Sequence, residues 1–162
     1  RRKTSSLIPY KADVGGMKIF LQKRTKDAKV LPDHFGFFGG GAEGDENPEE
    51  ALIRETKEEL NFFPKGFLYF KQYVFGQSMK DFFLLEVDHN FENTITVLEG
   101  QYGRWFSEQE VLDEPLFIEQ DKLVTREIFD FLNKGVSGVL TYFPPNVSSL
   151  YFLPEKPMTS PV

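Results

Sequence analysis

Gly39-Gly40-Gly41-Ala42-Glu43-Gly44-Asp45-Glu46-Asn47-Pro48-Glu49-Glu50-Ala51-Leu52-Ile53-Arg54-Glu55-Thr56-Lys57-Glu58-Glu59-Leu60-Asn61-Phe62 is the stretch from which the fold can be read. It runs from a glycine-rich segment into a carboxylate-rich one. Asn47 before Pro48, with Glu50 three residues after Asn47, has the spacing of an N-cap, a first-turn Pro and a capping-box carboxylate. The spacing predicts a helix over about 48–60. Residues 31–47, with their Gly, Pro and Asp, are expected to form a loop. On the helix Glu55, Glu58 and Glu59 stand at i, i+3 and i+4, so their carboxylates share one face. Their mutual repulsion, about 0.2–0.5 kcal/mol for an i,i+4 pair, would be reversed by a divalent cation. Oxygen ligands of this kind suit Mg²⁺ or Mn²⁺. A solvated face laced by the i,i+4 pairs Glu50–Arg54 and Arg54–Glu58 is the competing reading on spacing alone.

The surroundings favour the metal. A glycine-rich loop that feeds a capped helix brings backbone groups and carboxylates together, as a metal and a polyphosphate require. The rest of the 162-residue chain bounds the possibilities. Its hydrophobic fraction of 40% and its 18 Phe supply one core, and its length is short for two ordinary domains. There is no Cys, which excludes a thiolate metal site, a cysteine nucleophile and a disulfide framework. The cytoplasm is the expected compartment. A formal charge of -6 argues against general nucleic-acid binding. No run approaches the roughly 20 apolar residues of a membrane-spanning helix, so no membrane partner is expected. Arg1-Arg2-Lys3 is followed by no apolar signal core, and the absence of an initiator Met suggests a trimmed N-terminus.

Working outward, residues 6–10 and 17–22 read as two strands of a hairpin around Asp13-Val14-Gly15-Gly16. Residues 66–75 and 79–87 read as two more, joined around Gly76-Gln77-Ser78, and 94–98 as another. Ser107 to Glu110 has capping-box spacing for a short helix. Leu123, Val124, Ile128, Phe131 and Leu132 form a helical stripe that ends at Gly135. From 136 the composition turns to Pro, Ser and scattered aromatics.

Gly40, five residues, Glu46, seven residues, then Arg54 to Phe62 closely resembles the Nudix box, Gly-x5-Glu-x7-Arg-Glu-U-x-Glu-Glu-x-Gly-U, with U a bulky apolar residue. Six Gly, Arg and Glu identities within 20 residues make this far more specific than a glycine triplet. Two positions depart. Thr56 stands for the aliphatic residue, where its hydroxyl can return to the helix backbone. Asn61 stands for the Gly past the helix end, where a left-handed conformation is wanted and Asn is the next most tolerant residue.

The resemblance covers roughly residues 5–134 in element order. It implies an α+β fold, a Nudix-type α/β/α sandwich around a mixed β-sheet, with residues 1–135 as the hydrolase domain. Residues 136–162 would be a C-terminal extension of unknown fold, packed on the domain or serving as a contact in a homodimer. It further implies that Glu55, Glu58 and Glu59 bind Mg²⁺ or Mn²⁺, that the Gly39 carbonyl joins them, that Gly40 abuts substrate, and that Arg54 orients the carboxylates. Glu46 is expected to support the loop-helix junction. Phe35 to Gly40 resembles the segment leading into the box, with Phe38 where Pro is commoner. Glu99 to Trp105 resembles the approach to a Trp-containing strand in MutT-type members, which makes Glu99 a fourth carboxylate, as ligand or base; Glu108 and Glu110 are the alternatives, and an exposed turn Glu is the bland one.

Arg24 matches a substrate-contacting position of MutT-type members, against a plain solvated reading. The base-reading Asn of those members falls near Glu119-Gln120, so strong 8-oxoguanine selectivity is not expected. Trp105 and the Phe35, Phe37, Phe38 cluster are expected in the core, His34 and His89 on the surface. The implied activity is metal-dependent hydrolysis of a pyrophosphate bond in a nucleoside di- or triphosphate derivative. For a triphosphate the products are a monophosphate and pyrophosphate. The general base is left open between Glu55, Glu58 and Glu99. A non-catalytic Nudix-like nucleotide-sensing module is the rival reading.

Overall fold

The computed structural model describes residues 2–135; the expected extension at 136–162 lies outside them, as does Arg1. Strand β1 (Arg2–Asp13) turns at Val14-Gly15 into β2 (Gly16–Lys23), as the sequence predicts. Short strands β3 (Phe35–Gly36) and β4 (Phe38–Gly41) precede α1 (Pro48–Leu60). Then come β5 (Leu68–Phe75), β6 (Ser78–Glu86), a 3-10 turn at Phe91–Thr94, β7 (Tyr102–Phe106), α2 (Glu108–Asp113) and α3 (Glu119–Lys134).

The seven strands form one mixed sheet ordered β3-β2-β1-β6-β5, with β4 on β1 and β7 on β2. Only β1 and β6 run parallel among these pairs; the others are antiparallel. Strand alternation divides the core. Leu7 and Phe83 face α1 and pack with Leu52, while Ile8, Phe82 and Leu84 face α3 and pack with Val124 and Ile128. Each such fully buried side chain stabilises the fold by about 1.5–3 kcal/mol. Helices on both faces complete the α+β sandwich that the box predicts.

Pro9 in the central strand has a positional reason. Tyr10 O accepts from Val87 N, on the β6 side, which turns Pro9 toward the other edge. There β1 changes partner from β4, paired over Thr4 to Leu7, to β2, paired from Tyr10, so the missing N–H costs no ladder bond.

Three expectations are corrected. The segment 31–47 is not all loop: β4 pairs with β1 as Ser6↔Gly39 and Ser5↔Gly40. The glycines permit this close pairing, since a Cβ on Gly39 would lie 2.1 Å from Ser5 O. Residues 94–98 are not a strand. Their backbone caps α1 instead, with Thr96 N donating to Leu60 O and Leu98 N to Glu59 O, two carbonyls that the helix leaves orphaned. In α3 the stripe is rotated from the expected one: Leu123 is exposed, and Phe129 is buried.

Candidate active site

The box folds locally as its residue types dictate. Asn47 Oδ1 accepts from Glu50 N at 2.8 Å and Glu50 Oε1 accepts from Asn47 N at 2.9 Å, closing the capping box. Glu50 is thereby committed to the cap, so the expected Glu50–Arg54 pair does not form. Thr56 Oγ1 donates to Leu52 O at 2.7 Å inside the core. Asn61 adopts φ 49, ψ 44, the left-handed conformation for which the Gly of the box pattern is suited.

Arg54 gathers the carboxylates. Its Nε and Nη2 grip both oxygens of Glu46 at 2.8 and 3.0 Å, and Nη2 also donates to Gly41 O at 2.8 Å. Its Nη1 reaches Glu55 Oε2 at 2.8 Å and Glu58 at 3.3 Å. A guanidinium fork suits this geometry, which a lysine could not reproduce. The contacts hold Glu46 below the usual carboxylate range and push Arg54 up. Glu46 Oε1 also accepts from Glu43 N at 2.8 Å, so this side chain does bind the loop to the helix.

Glu59 sits deeper than its neighbours, 5% exposed, with Oε1 accepting from Gly39 N at 2.8 Å. Burial, and then the negative charges of Glu55 and Glu99, push its carboxyl up to about 8 against the opposing Gly39 N–H. Burial likewise raises Glu55. Glu59 and Glu99 line one cavity of about 430 Å³ together with Arg24, Gly39, Leu98 and Gly100. Gln22 Nε2 donates to Glu99 O at 3.2 Å and so fixes that turn. Gly40 lies against the carboxyl of Glu55. The fold therefore brings Gly39, Gly40, Arg54, Glu55, Glu58, Glu59 and Glu99 into one neighbourhood.

Arg24 stands at the border of this cavity. It lines the cavity, while its Nε donates to Val30 O at 2.9 Å and pins the loop between β2 and β3. Glu108 and Glu110 stand on α2, where Glu110 closes the cap of Ser107, and neither lines the cavity. Glu119 is 91% exposed and approaches Lys122. Phe35 and Phe38 are buried, and Phe37 packs against the core. Trp105 is half-buried on Phe20 and donates Nε1–H to Glu92, which makes it a packing residue. His34 rests its Nδ1 2.9 Å from Pro32 O, and His89 is exposed.

The donor set fits a hard divalent cation by its chemistry. Glu46, Glu55 and Glu58 share the single charge of Arg54, and Glu59 and Glu99 add two carboxyl groups at the adjoining cavity. As arranged, no group of three or more His, Cys, Asp or Glu among the described residues converges on a metal position. Glu55 and Glu58 are turned to Arg54 and Glu59 to Gly39 N, so ligation requires these side chains to exchange partners.

A second cavity of about 240 Å³ shares Arg24 and Gly39 with the first and is lined by Phe35, Phe37, Phe82, Lys80 and Asp121. Neither Lys80 nor Asp121 is singled out by the box. A signal was present: Asp121 stands at i, i+3, i+7 with Val124 and Ile128, a carboxylate on the buried stripe of α3.

A family model described as NUDIX domain matches residues 2–126. The 8-oxo-dGTP diphosphatase of Escherichia coli (strain K12) is 33% identical over 92 residues, covering 56% of this chain and 70% of that protein. Among solved structures, a MutT structure from work on Aliivibrio salmonicida and Vibrio cholerae shares the fold at TM-score 0.64 and 24% identity, covering 80% of this chain and 98% of the other. A C. elegans Ap4A hydrolase does so at TM-score 0.64 and 19% identity, covering 83% and 99%. The NUDIX domain of Shewanella oneidensis NrtR, complexed with ADP ribose, gives TM-score 0.61 at 16% identity, covering 78% and 86%.

Proposed function

This chain belongs to the NUDIX domain family as a pyrophosphohydrolase, and from that premise we propose that it cleaves, with Mg²⁺ or Mn²⁺, a pyrophosphate bond in a nucleoside di- or triphosphate derivative. The observation that carries the proposal is the meeting of Glu59 and Glu99 at a cavity that also holds Gly39 and Arg24, with Glu55 and Glu58 on the adjoining helix face. Carboxylates so placed repel one another and a substrate's phosphates, and the cation neutralises this charge and orients the attacking water. Glu55, Glu58, Glu59 and Glu99, with the Gly39 carbonyl, would hold it. Arg54 keeps Glu55 and Glu58 pointed to one side of α1, and Gly40 admits Glu55 by having no side chain. Arg24, on the same cavity, would meet the polyphosphate. The proton of the attacking water goes to Glu55, Glu58 or Glu99.

For a nucleoside triphosphate the products are the monophosphate and pyrophosphate. A cytoplasmic location and a homodimer belong to the same proposal, checked by fractionation and by sedimentation; among the described residues no helix is long and apolar enough to cross a membrane. The main experiment is a screen of nucleotides for phosphate and pyrophosphate release with Mg²⁺, with Mn²⁺ and with excess EDTA. Turnover confined to the metal-containing reactions is expected. Undiminished turnover in EDTA would sink the metal assignment, and no turnover on any nucleotide would favour a nucleotide-sensing module.

A further inference from the structure

Arg24 and Glu99 stand on two different loops, with Arg24 opening the loop between β2 and β3 and Glu99 opening the turn into β7, and both border the first cavity. The turn approaches β2 as a continuation of the β2–β7 ladder. Beyond the pair Lys23↔Tyr102, Gln101 N donates to Lys23 O at 2.7 Å. Gly100 then departs at φ +88, where a Cβ would lie 2.8 Å from Lys23 O, and the backbone ladder goes no further. The side chain of Gln101 takes over from it. Its Nε2 donates to Arg24 O at 2.7 Å and to Asp33 Oδ1 at 2.8 Å.

Both acceptors are themselves fixed. Asp33, with φ 61, donates its N–H to Thr25 O at 2.9 Å, while its carbonyl accepts from Lys23 Nζ at 2.6 Å and its carboxylate lies 3.3 Å from the same ammonium. Lys23 is buried, with Nζ 4.6 Å from the centre of the Phe35 ring. Gln101 therefore joins the start of the β2–β3 loop, at Arg24, and its far end, at Asp33, to the turn that carries Glu99. An amide nitrogen has two N–H donors, and here each has an acceptor. On the inner side Arg24 Nε donates to Val30 O and Leu31 O, and Gln22 Nε2 donates to Glu99 O. Each of those bonds orders one loop, whereas the Gln101 side chain bridges the two. Gln101 is exposed and fills no part of the core, so its consequence lies in what it connects. We infer that Gln101 is a positioning residue, a latch that holds the loop of Arg24 against the turn of Glu99 and fixes their separation at the cavity. The inference rests on the pyrophosphohydrolase reading for what Arg24 and Glu99 do, and on the hydrogen bonds of Gln101 alone for how they are held.

The test compares kcat and KM, on the best nucleotide substrate with Mg²⁺, for the wild type, Gln101→Met, Glu99→Gln, Arg24→Met and the two double variants that contain Gln101→Met. Methionine keeps the length of glutamine and removes both donors. Gln101→Met is expected to lower kcat/KM by about tenfold to 100-fold, the scale of a misplacement near 1 Å, with its urea midpoint close to that of the wild type. The loss should divide, kcat falling through Glu99 and KM rising through Arg24. In the Glu99→Gln background the fall in kcat should shrink to within about twofold, and in the Arg24→Met background the rise in KM should do the same, because effects that pass through one group do not add. A residue that only supports the fold would cost the same in every background. Gln101→Glu, which sets acceptors against the Arg24 carbonyl and the Asp33 carboxylate, should lose at least as much as Gln101→Met. Wild-type constants in Gln101→Met, full losses in both backgrounds, or unfolding of the variant would overturn the latch. Binding of inorganic pyrophosphate with Mn²⁺ is measured separately by calorimetry, without turnover. If no nucleotide is hydrolysed, the activity reading fails by itself, and weaker pyrophosphate binding in Gln101→Met that vanishes in the Arg24→Met background still supports the latch. Equal binding by the wild type and Gln101→Met, or none by either, rejects it.

Discussion

A Cβ placed on Gly40 would lie 2.5 Å from the carboxyl carbon of Glu55, closer than real side chains approach. The overlap is with the far end of a flexible side chain, so Gly40→Ala is expected to turn Glu55 aside. Stability should change by less than about 1 kcal/mol. Turnover should fall by about tenfold to 100-fold, the scale of a misplacement near 1 Å at a reacting site. Gly39→Ala is the contrast: its Cβ would meet Ser5 O at 2.1 Å and Ser6 Cα at 2.7 Å, both backbone of β1, at a φ of +141. That variant should lose about 3 kcal/mol or more. Urea unfolding beside a turnover assay distinguishes the two glycines, and equal destabilisation would contradict the difference.

Glu58→Gln should remove most turnover, by about 100-fold or more, the scale of deleting a group that stabilises developing charge. The fold should survive, because Glu58 is half-exposed and its contacts to Arg54 are long at 3.3 Å. In EDTA the melting temperature should hold or rise slightly, since one member of a repelling cluster is gone. A variant with wild-type rates, or one that unfolds, would refute the role assigned to this carboxylate.

In the metal-free folded protein Glu59 keeps its proton up to about pH 8, while the unfolded chain releases it at about pH 4.3. Between these values the folded state binds the additional proton, so stability falls as pH rises through the window and levels off above it. Glu59→Gln cannot titrate and should flatten that part of the profile. Thermal melting in EDTA from about pH 5 to about pH 9 reads the slope, and identical slopes for the two proteins would show that Glu59 does not hold the proton.

How much was legible depended on whether the signal was local. The cap of Asn47, the run of α1, the hydroxyl return of Thr56 and the left-handed Asn61 are all decided within a few residues, and each is found as the sequence predicts. The strand β4 was not legible, because Gly39 to Gly41 become a strand only through pairing with β1 more than 30 residues away, and glycines carry no strand propensity. Residues 94–98 mislead for the opposite reason: Thr94-Ile95-Thr96-Val97-Leu98 has strand composition, yet its N–H groups are needed at the end of α1. At the site, the box residues could be placed by their spacing. Glu99 was reached through a second stretch of resemblance, and the cavity it shares with Glu59 depends on the turn held by Gln22. The second cavity was not legible, because Lys80 and Asp121 meet at it only through the packing of α3 on the sheet.

Asn61 gives the last expectation. Its N–H donates to Lys57 O at 3.0 Å with the backbone at φ 49, while Thr96 and Leu98 cap the two carbonyls just before it. The turn out of α1 therefore demands a left-handed residue, and the capping bonds lock it in place. A side chain branched at Cβ meets the following carbonyl there, so Asn61→Val should cost about 1–2 kcal/mol. Asn61→Gly should stay within about 0.5 kcal/mol of the wild type, because easier access to positive φ is offset by the larger entropy of the unfolded chain. Urea denaturation of both variants provides the measurement. If Asn61→Val is as stable as Asn61→Gly, the left-handed cap is not what ends this helix.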